Sequence, residues 1–449
     1  MDEYTLAFTS IRYHPNLGSF YIFRRCSGGH CASFYFVLIA EANRLSFSGD
    51  KQEALMKIGT LTLHLPFNYG NALQMFSLHK YLLEQGYDAE ILSHWFCKNQ
   101  NEIWKWHNFT SKSWKNKVRF ALTCCTWTGA FCQYLREKKF RKWHDSMIRW
   151  SNEEGAESVF PADKIPHDIV ISGSDQIWNP KYKTSEFFLL PDFPERIKKI
   201  AYAASLGSDV FPSERREFYT KNLGRFFAVS VRESSAVDIL KRECGCDSTL
   251  VADPTLLHTR DEWCKLLGVK VPDREKDFYM LYSVAPDGVA HWRDLIRLAR
   301  RVGKKIHVYV FSATGVYVNL RHPVQTMLTT AKTILKRVQL WLAGVRLHFS
   351  ATPTEFVQRV ADCSGLFTDS FHGMMFATIF GKKCNVMIGE HEERQQMSAR
   401  LRNFTKDFGE PEILTATFDP VAMRRLDITP KLQELIAYSK VWLKHSIED

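Results

Sequence analysis

The stretch KIGTLTLHLPFNYGNALQMFSLHKYLLEQGYDAEILSH, residues 57–94, decides the fold. Lys57–Leu65 is β-branched and apolar, the composition of a strand. Pro66–Asn71 (PFNYGN) interrupts it with the residues that break ladders. Across Ala72–Gln85, apolar residues stand at 72, 73, 75, 76, 78, 82 and 83, the stripe of an amphipathic helix. Gly86 is the expected stop, and Asp88–His94 reads as the next strand. Strand, helix and strand in that order make a βαβ unit, which implies a parallel sheet.

The alternation recurs outward from this unit. Asp168–Ser172, Lys199–Leu206, Phe226–Val231 and Thr249–Ala252 read as further strands, with a helix at Ser234–Lys241. A helix at Asp261–Leu267 and the polar run Pro272–Lys276 read as a hinge. The second half repeats the scheme, with strands at Phe278–Val284, Lys305–Phe311, Gly365–Asp369 and Asn385–Ile388. Helices at Ala290–Val302, Thr354–Asp362 and Met374–Phe380 alternate with them, and two more near Gln396–Lys406 and Lys431–Lys444 close the chain. The expected fold class is α/β: two doubly wound Rossmann-like domains facing a cleft, residues 56–260 and 274–449. A Trp/Lys-rich helical insertion is expected at 95–150, which holds seven of the twelve tryptophans, and a basic insertion at 313–350. Residues 1–55 show no sustained period and are expected to be a leader, or an upstream start, outside the fold.

Composition limits the partners. The chain has 449 residues, 45% hydrophobic and 24% charged, as in soluble globular proteins. Its net charge of +11 favours anionic partners without choosing among them. Eleven cysteines stand without a C-x-x-C pair, which reads as reduced thiols in a cytoplasmic protein. No apolar run reaches the roughly 18 residues of a membrane span. Metal-ligand spacings, Walker A and G-x-G-x-x-G patterns are all missing, so neither a metal nor a dinucleotide is expected. The Lys/Trp tract from Trp104 to Trp143 reads first as a basic face over core tryptophans. With no recognisable nucleic-acid module, nucleic acid is not an expected partner. Peripheral contact with an anionic inner membrane face is the other reading of that tract.

Five polar tracts share one position. NYGN (Asn68–Asn71), GSDQ (Gly173–Gln176), Arg232-Glu233, Asp253-Pro254-Thr255 and DSFHG (Asp369–Gly373) each follow a predicted strand. In open α/β sheets, ligands bind at the carboxyl ends of the strands. Asn68, Gly70 and Asn71 open a helix whose backbone N–H groups suit an anion, or Asn71 is a simple N-cap. Asp175, Gln176 and Trp178 of GSDQIWN, with Ser174 beside them, combine carboxylate, amide and ring, a way to hold a sugar; the other reading makes Trp178 a core residue and Asp175 a helix cap. Arg232 ends an apolar strand and needs an anion, from Glu233, another carboxylate or a ligand. His372 stands at a strand-to-helix turn between Ser370 and Gly373, where it is an acid/base candidate that Asp369 would orient.

Taken together, these tracts resemble the polysaccharide pyruvyl transferase family. The matching stretches are IGTLTLHLPFNYGNALQMFSLHKYLLEQGYDAEIL, DIVISGSDQIWNP, KIAYAASLGSD, VSVRESSAVDIL, VADPTLL and TPTEFVQRVADCSGLFTDSFHGMMFATIFGKKCNVM, with QMSARLRNFTKDFG (396–409) as a weaker match. The resemblance implies a fold similar to the two-domain nucleotide-sugar glycosyltransferases. It implies transfer of pyruvate from phosphoenolpyruvate, as co-substrate, to two hydroxyls of a sugar or lipid-linked glycan as a cyclic ketal, in capsule or exopolysaccharide synthesis. His372 then protonates the donor's methylene carbon, and Asp175 or Asp369 assists the sugar hydroxyl. Arg232, with Arg400 and Arg402, holds the donor's anionic groups alongside Asn68, Gly70, Asn71, Ser370 and Gly373. One position departs: family members often carry Arg two residues before the histidine, where this chain has Ser370. DSFHG resembles a branch in which donor and acceptor stand open. A glycosyltransferase using a nucleotide sugar, or a glycan-binding relative without catalysis, would fit the same architecture.

If residues 1–55 lie outside the fold, deleting them leaves thermal unfolding unchanged. A loss above about 2 kcal/mol on deletion shows that they pack on the core.

Overall fold

The computed structural model describes residues 10–14, 19–23, 56–63, 68–92, 129–151, 165–284, 292–310, 323–388, 398–409 and 411–449. The chain divides into two compact units, Met1–Ala54 and Leu55–Asp449. In the first, strands β1 (Ser10–His14) and β2 (Ser19–Phe23) pair antiparallel, Ser10 opposite Phe23. The sequence reading assigned no element there. The second unit carries both α/β sheets.

Its first sheet begins with β3 (Lys57–Leu61), α1 (Tyr69–Glu84) and β4 (Asp88–Ile91). Helix α1 starts a turn earlier than its apolar stripe suggests, because Asn68 is the N-cap and its side chain accepts from Asn71 N at 3.2 Å. After α2 (Gly129–Met147) come β5 (Ile169–Ser172), β6 (Lys198–Ala204), α3 (Arg216–Leu223), β7 (Ala228–Val231), α4 (Ser234–Cys244) and β8 (Thr249–Leu250). The strands are all parallel, in the order β4-β3-β5-β6-β7-β8. The winding reverses between β3 and β5, the position at which doubly wound sheets commonly bind ligands.

Helix α5 (Arg260–Leu267) leads to the second sheet. Its elements are β9 (Lys276–Ser283), α6 (Trp292–Val302), β10 (Lys305–Val310), α7 (Pro323–Leu342), β11 (Val345–His348), α8 (Pro353–Asp362), β12 (Cys363–Thr368), α9 (Phe371–Ile379), β13 (Lys383–Met387), α10 (Ala399–Phe408) and β14 (Leu414–Thr415). The order β11-β10-β9-β12-β13-β14 reverses between β9 and β12, and β15 (Arg424–Arg425) lies antiparallel on β13. Residues 313–350 are therefore not an insertion throughout. β11 pairs with β10, Ile306 opposite Val345, as the edge strand of this sheet, and α7 is the crossover that reaches it.

One aromatic core joins the inner helices of both halves. Tyr69 stacks on Phe356 at 4.7 Å, Phe76 lies 5.9 Å from Trp263, and Trp263 meets Phe376 edge-on at 5.1 Å. Trp143, read first as a core tryptophan beneath a basic face, is 7% exposed and its indole donates to Thr354 Oγ1 at 2.9 Å. It is a core residue because its ring finds Phe76 at 5.4 Å. Trp95, Trp104, Trp106, Trp114 and Trp127 lie outside the described residues.

The last helix, α11 (Pro430–Glu448), returns to the first sheet instead of staying with the second. Leu443 and Ile447 are buried among Ile58, Ile169 and Ile200. Fully burying two such side chains contributes about 1.5–3 kcal/mol each. Ser439 Oγ accepts from Ala252 N at 2.8 Å, just beyond the end of β8. Ser439→Ala leaves that buried N–H without its acceptor and should lower unfolding free energy by about 1–3 kcal/mol in a urea titration. The exposed neighbour Tyr438→Ala should change it by less than about 0.5 kcal/mol.

Candidate active site

The carboxyl ends of five strands converge on one buried charge. Beyond β5 the backbone turns through Gly173 (φ 140°) and Asp175 (φ 75°). A Cβ at residue 173 would sit 2.0 Å from the Tyr202 carbonyl oxygen, so glycine is required there. The turn aims the Asp175 carboxylate inward. Asn71 Nδ2, on the first turn of α1, donates to Oδ2 at 3.0 Å, and Arg232 Nη2 donates to Oδ1 at 2.9 Å. Arg232 follows β7. Its other terminal nitrogen donates to Asp253 Oδ2 at 2.6 Å, and the Phe371 ring lies 4.7 Å from the guanidinium carbon. Asp253 follows β8 and is held in turn by Thr255, whose N and Oγ1 donate to Oδ1 at 3.0 and 2.7 Å.

His372 enters from the second sheet as the second residue of α9. Its Nε2 lies 3.4 Å from Arg232 Nη1 and 3.6 Å from Asp253 Oδ2. The other side of the ring rests on Gly70, where a Cβ would come within 2.3 Å of Nδ1. Any side chain at 70 would displace the imidazole. Arg400, on α10, completes the group: Nη1 is 3.7 Å from Asp175 Oδ1. With its oxygen facing that arginine, the Gln176 amide accepts from Nη1 at 3.2 Å. Glu233 accepts from Ser205 Oγ and lies 3.8 Å from Arg232 Nε.

Burial and pairing set these charges. Burial raises the Asp175 carboxyl, but Arg232, His372, Arg400 and Asn71 together hold it well below the usual carboxylate range. Burial also works against ionised Asp253, and His372, Arg232 and Thr255 override it in the same direction. Glu233 goes the other way: burial pushes it up, and Arg232 and Ser205 only partly offset this. Burial would lower Arg232, yet Asp253, Asp175 and Glu233 keep it raised above its ordinary value. Arg400 is brought down to about 10, first by burial and then by repulsion from Arg232, with Asp175 pulling back.

Several expectations need correction. Arg232 is not an open fork waiting for a ligand, because Asp175 and Asp253 occupy its terminal nitrogens. The carboxylate beside His372 is Asp253. Asp369 instead joins the switch point of the second sheet, accepting from Ser283 Oγ at 2.6 Å and Val284 N at 2.7 Å. Trp178 is no sugar platform: it is fully buried, donates to the Phe188 carbonyl at 3.1 Å and meets Phe226 edge-on. Ser174 is buried too, and its hydroxyl donates to the Ala203 carbonyl at 2.9 Å. Ser370 caps α9 by accepting from Gly373 N at 3.4 Å, and a Cβ at Gly373 would strike Thr368 Oγ1 at 2.3 Å. Arg402 is half-exposed, 3.8 Å from Asp209 and outside the lattice. Asp253 and Ser205 are the members that carried no assigned role in the sequence, while Glu233, one expected partner of Arg232, lies beside its Nε. The DPT tract at a strand end was the signal for Asp253. Among the described residues, no group of three or more His, Cys, Asp or Glu side chains is arranged to hold a metal ion.

The family model for polysaccharide pyruvyl transferases matches residues 68–390, from the N-cap of α1 past the end of β13. The chain belongs to this family. Every residue of the polysaccharide pyruvyl transferase lattice except Arg400 lies inside the matched region. A comparison with curated proteins finds no match. Among solved structures, the chain is similar to the UDP-GlcNAc 2-epimerase from Methanocaldococcus jannaschii, at 10% identity over 88% of this chain and 93% of that one, TM-score 0.41. It is also similar to the Neisseria meningitidis UDP-GlcNAc 2-epimerase bound to UDP-GlcNAc, at 11% identity over 88% and 100%, TM-score 0.43. The architecture of this polysaccharide pyruvyl transferase family member stands on its strand orders.

The shifts of Asp175 and Asp253 give a pH dependence with a definite sign. Both carboxyls are depressed on folding, so the stability they contribute is present above about pH 4, the ordinary carboxylate value. It is lost as pH falls through the depressed native values. Unfolding free energy in urea should therefore decline below about pH 4. Asp253→Asn should flatten that decline and cost about 3–5 kcal/mol at neutral pH, because Arg232 is left buried with one hydrogen-bonded carboxylate, Asp175.

Proposed function

We propose that this chain transfers pyruvate from phosphoenolpyruvate to two hydroxyls of a sugar, forming a cyclic ketal and releasing phosphate. The observation that carries the reading is His372 seated against Arg232 and Asp253, where the carboxyl ends of both sheets meet. Ketal formation needs an acid at carbon, a clamp for a multiply charged donor and a base for a hydroxyl. His372 supplies the proton to the methylene carbon. The first hydroxyl adds to the adjacent carbon, and the second displaces phosphate from it. Each hydroxyl loses its proton as it bonds.

The lattice suggests how the other roles divide. Asp175 and Asp253 are poor bases because their charge is locked to Arg232. Glu233, raised by burial and with Oε2 lacking a hydrogen-bond partner, suits proton acceptance better. Arg400 suits the donor's carboxylate or phosphate: it is desolvated, the nearest carboxylate among the described residues is 3.7 Å away, and a bound anion would repay its burial. A cation at Arg400 also supplies from α10 what Ser370 cannot.

Phosphate release from phosphoenolpyruvate in the presence of candidate glycans tests the reading. His372→Asn should reduce turnover by about 10²–10⁴-fold while donor binding changes little. Arg400→Lys keeps the charge but loses the planar fork, so donor affinity should fall first. Near-normal turnover in His372→Asn, with donor and acceptor identified, rules the mechanism out. Binding of a nucleoside diphosphate without phosphate release would favour a nucleotide-sugar transferase, and glycan binding without either a non-catalytic relative.

A further inference from the structure

Sixty consecutive residues, Leu295–Thr354, contain ten Lys or Arg and no Asp or Glu. Almost all of the chain's net charge of +11 therefore comes from one segment. Helix α7 (Pro323–Leu342) lies in the middle of it. Among its described side chains the inward stripe is thin: Leu340 is buried and Thr333 and Arg337 are half-buried. At 100° per residue these three fall within roughly 60° of the helix circumference.

The opposite side is apolar and faces solvent. Leu328, Ile334, Leu335, Val338, Trp341 and Leu342 are 55, 49, 61, 48, 58 and 71% exposed. They span an arc of roughly 140° directed away from the fold. A surface helix of a globular protein turns such a stripe inward. Lys332 and Lys336 border the arc, both exposed, and the Arg346 guanidinium lies 4.9 Å from the Trp341 ring. The adjacent α6 adds the exposed Arg300. Among the described residues, no helix is long and apolar enough to cross a membrane. An apolar arc with Trp and Leu, bordered by Lys and Arg, suits the plane of a lipid surface.

We propose that α7 docks this protein onto an anionic membrane, with its apolar arc among the acyl chains and Lys332, Lys336 and Arg346 against the headgroups. The charge complement selects that occupant. A second copy of α7 would offer the same apolar arc, but its borders would set lysine against lysine with no acid on either helix. The surface differs from the Trp104–Trp143 tract, whose Trp143 is committed to the core. Docking needs no step of the pyruvyl transfer, so it is tested without substrate.

Flotation of the full chain with phosphatidylcholine vesicles, with and without phosphatidylglycerol, reads the proposal directly. Binding is expected on the anionic vesicles at low salt and should weaken as salt rises. The double variant Leu335→Glu/Val338→Glu should bind at least about tenfold less, because each change puts a charge on the inserted face. Lys332→Glu/Lys336→Glu should lose the preference for phosphatidylglycerol. All four positions are exposed, so melting should be unchanged. If the first pair disturbs the fold, Leu335→Ser/Val338→Ser replaces it. Wild-type protein that ignores anionic vesicles, or apolar-arc variants that float like wild type, overturns the proposal. So does a dimer in sedimentation velocity that the arc variants dissociate while vesicle binding is missing.

Discussion

A guanidinium keeps its charge under all ordinary conditions, so one with no exposed side-chain surface must be neutralised where it stands. Arg232 meets that condition by drawing one carboxylate from the turn after β5 and another from the turn after β8. The turns of three strands are fixed relative to one another by a single side chain. His372 reaches the same nitrogen from the second sheet, so the two halves are registered at a charge instead of only at a hydrophobic seam. Such a cluster is weak evidence of net stabilisation, since desolvating its members is costly. Its geometry is what it secures: dipoles and charges set in place before a reactant arrives need not reorganise during reaction.

The aromatic core beneath the lattice carries the same constraint into packing. Tyr69 precedes Gly70, on which the imidazole rests, and Tyr69 is itself stacked on Phe356 and bonded to the Ala351 carbonyl at 3.1 Å. The first turn of α1 is thus pinned to the second half through a ring on one side and a histidine on the other. A cleft of about 710 Å³, lined in part by Tyr309, His348 and Arg359, lies along α8 apart from the lattice. Burial brings His348 in its wall down to about 4, and likewise His307, whose Nδ1 lies 3.1 Å from His348 Nε2.

Much of this was legible in the sequence because it is written locally. The βαβ unit at 57–91 announces itself through apolar spacing, and each lattice residue except Arg400 follows a strand, where polar residues have no packing reason to stand. That Arg232 requires an anion follows from its apolar strand. Which anion it takes is not local: Asp175 and Asp253 lie 57 and 21 residues away, and only the strand order brings them adjacent. Trp178 stands three residues from Asp175 in sequence, yet its indole donates to the Phe188 carbonyl while the carboxylate accepts from Asn71 and Arg232, partners that no local pattern reveals. β11 escaped notice because VRLH is short and half-exposed, as an edge strand is, and carries little apolar signal. The destination of α11 was equally invisible: its apolar residues show that it packs, not on which sheet.

That destination bears on how the chain is made. β3, β5 and β6 are synthesised long before α11, yet Ile58, Ile169 and Ile200 share a core with Leu443 and Ile447. While the chain is still emerging, the first sheet therefore presents a bare apolar face and a β8 terminus without its hydroxyl partner. Contacts this remote in sequence form slowly and leave surface open to misassociation meanwhile. The first half is not a domain that finishes before the second begins. It becomes complete only when the last helix has arrived, and so a ribosome that stalls after β15 releases a molecule with both sheets formed and one of them uncovered.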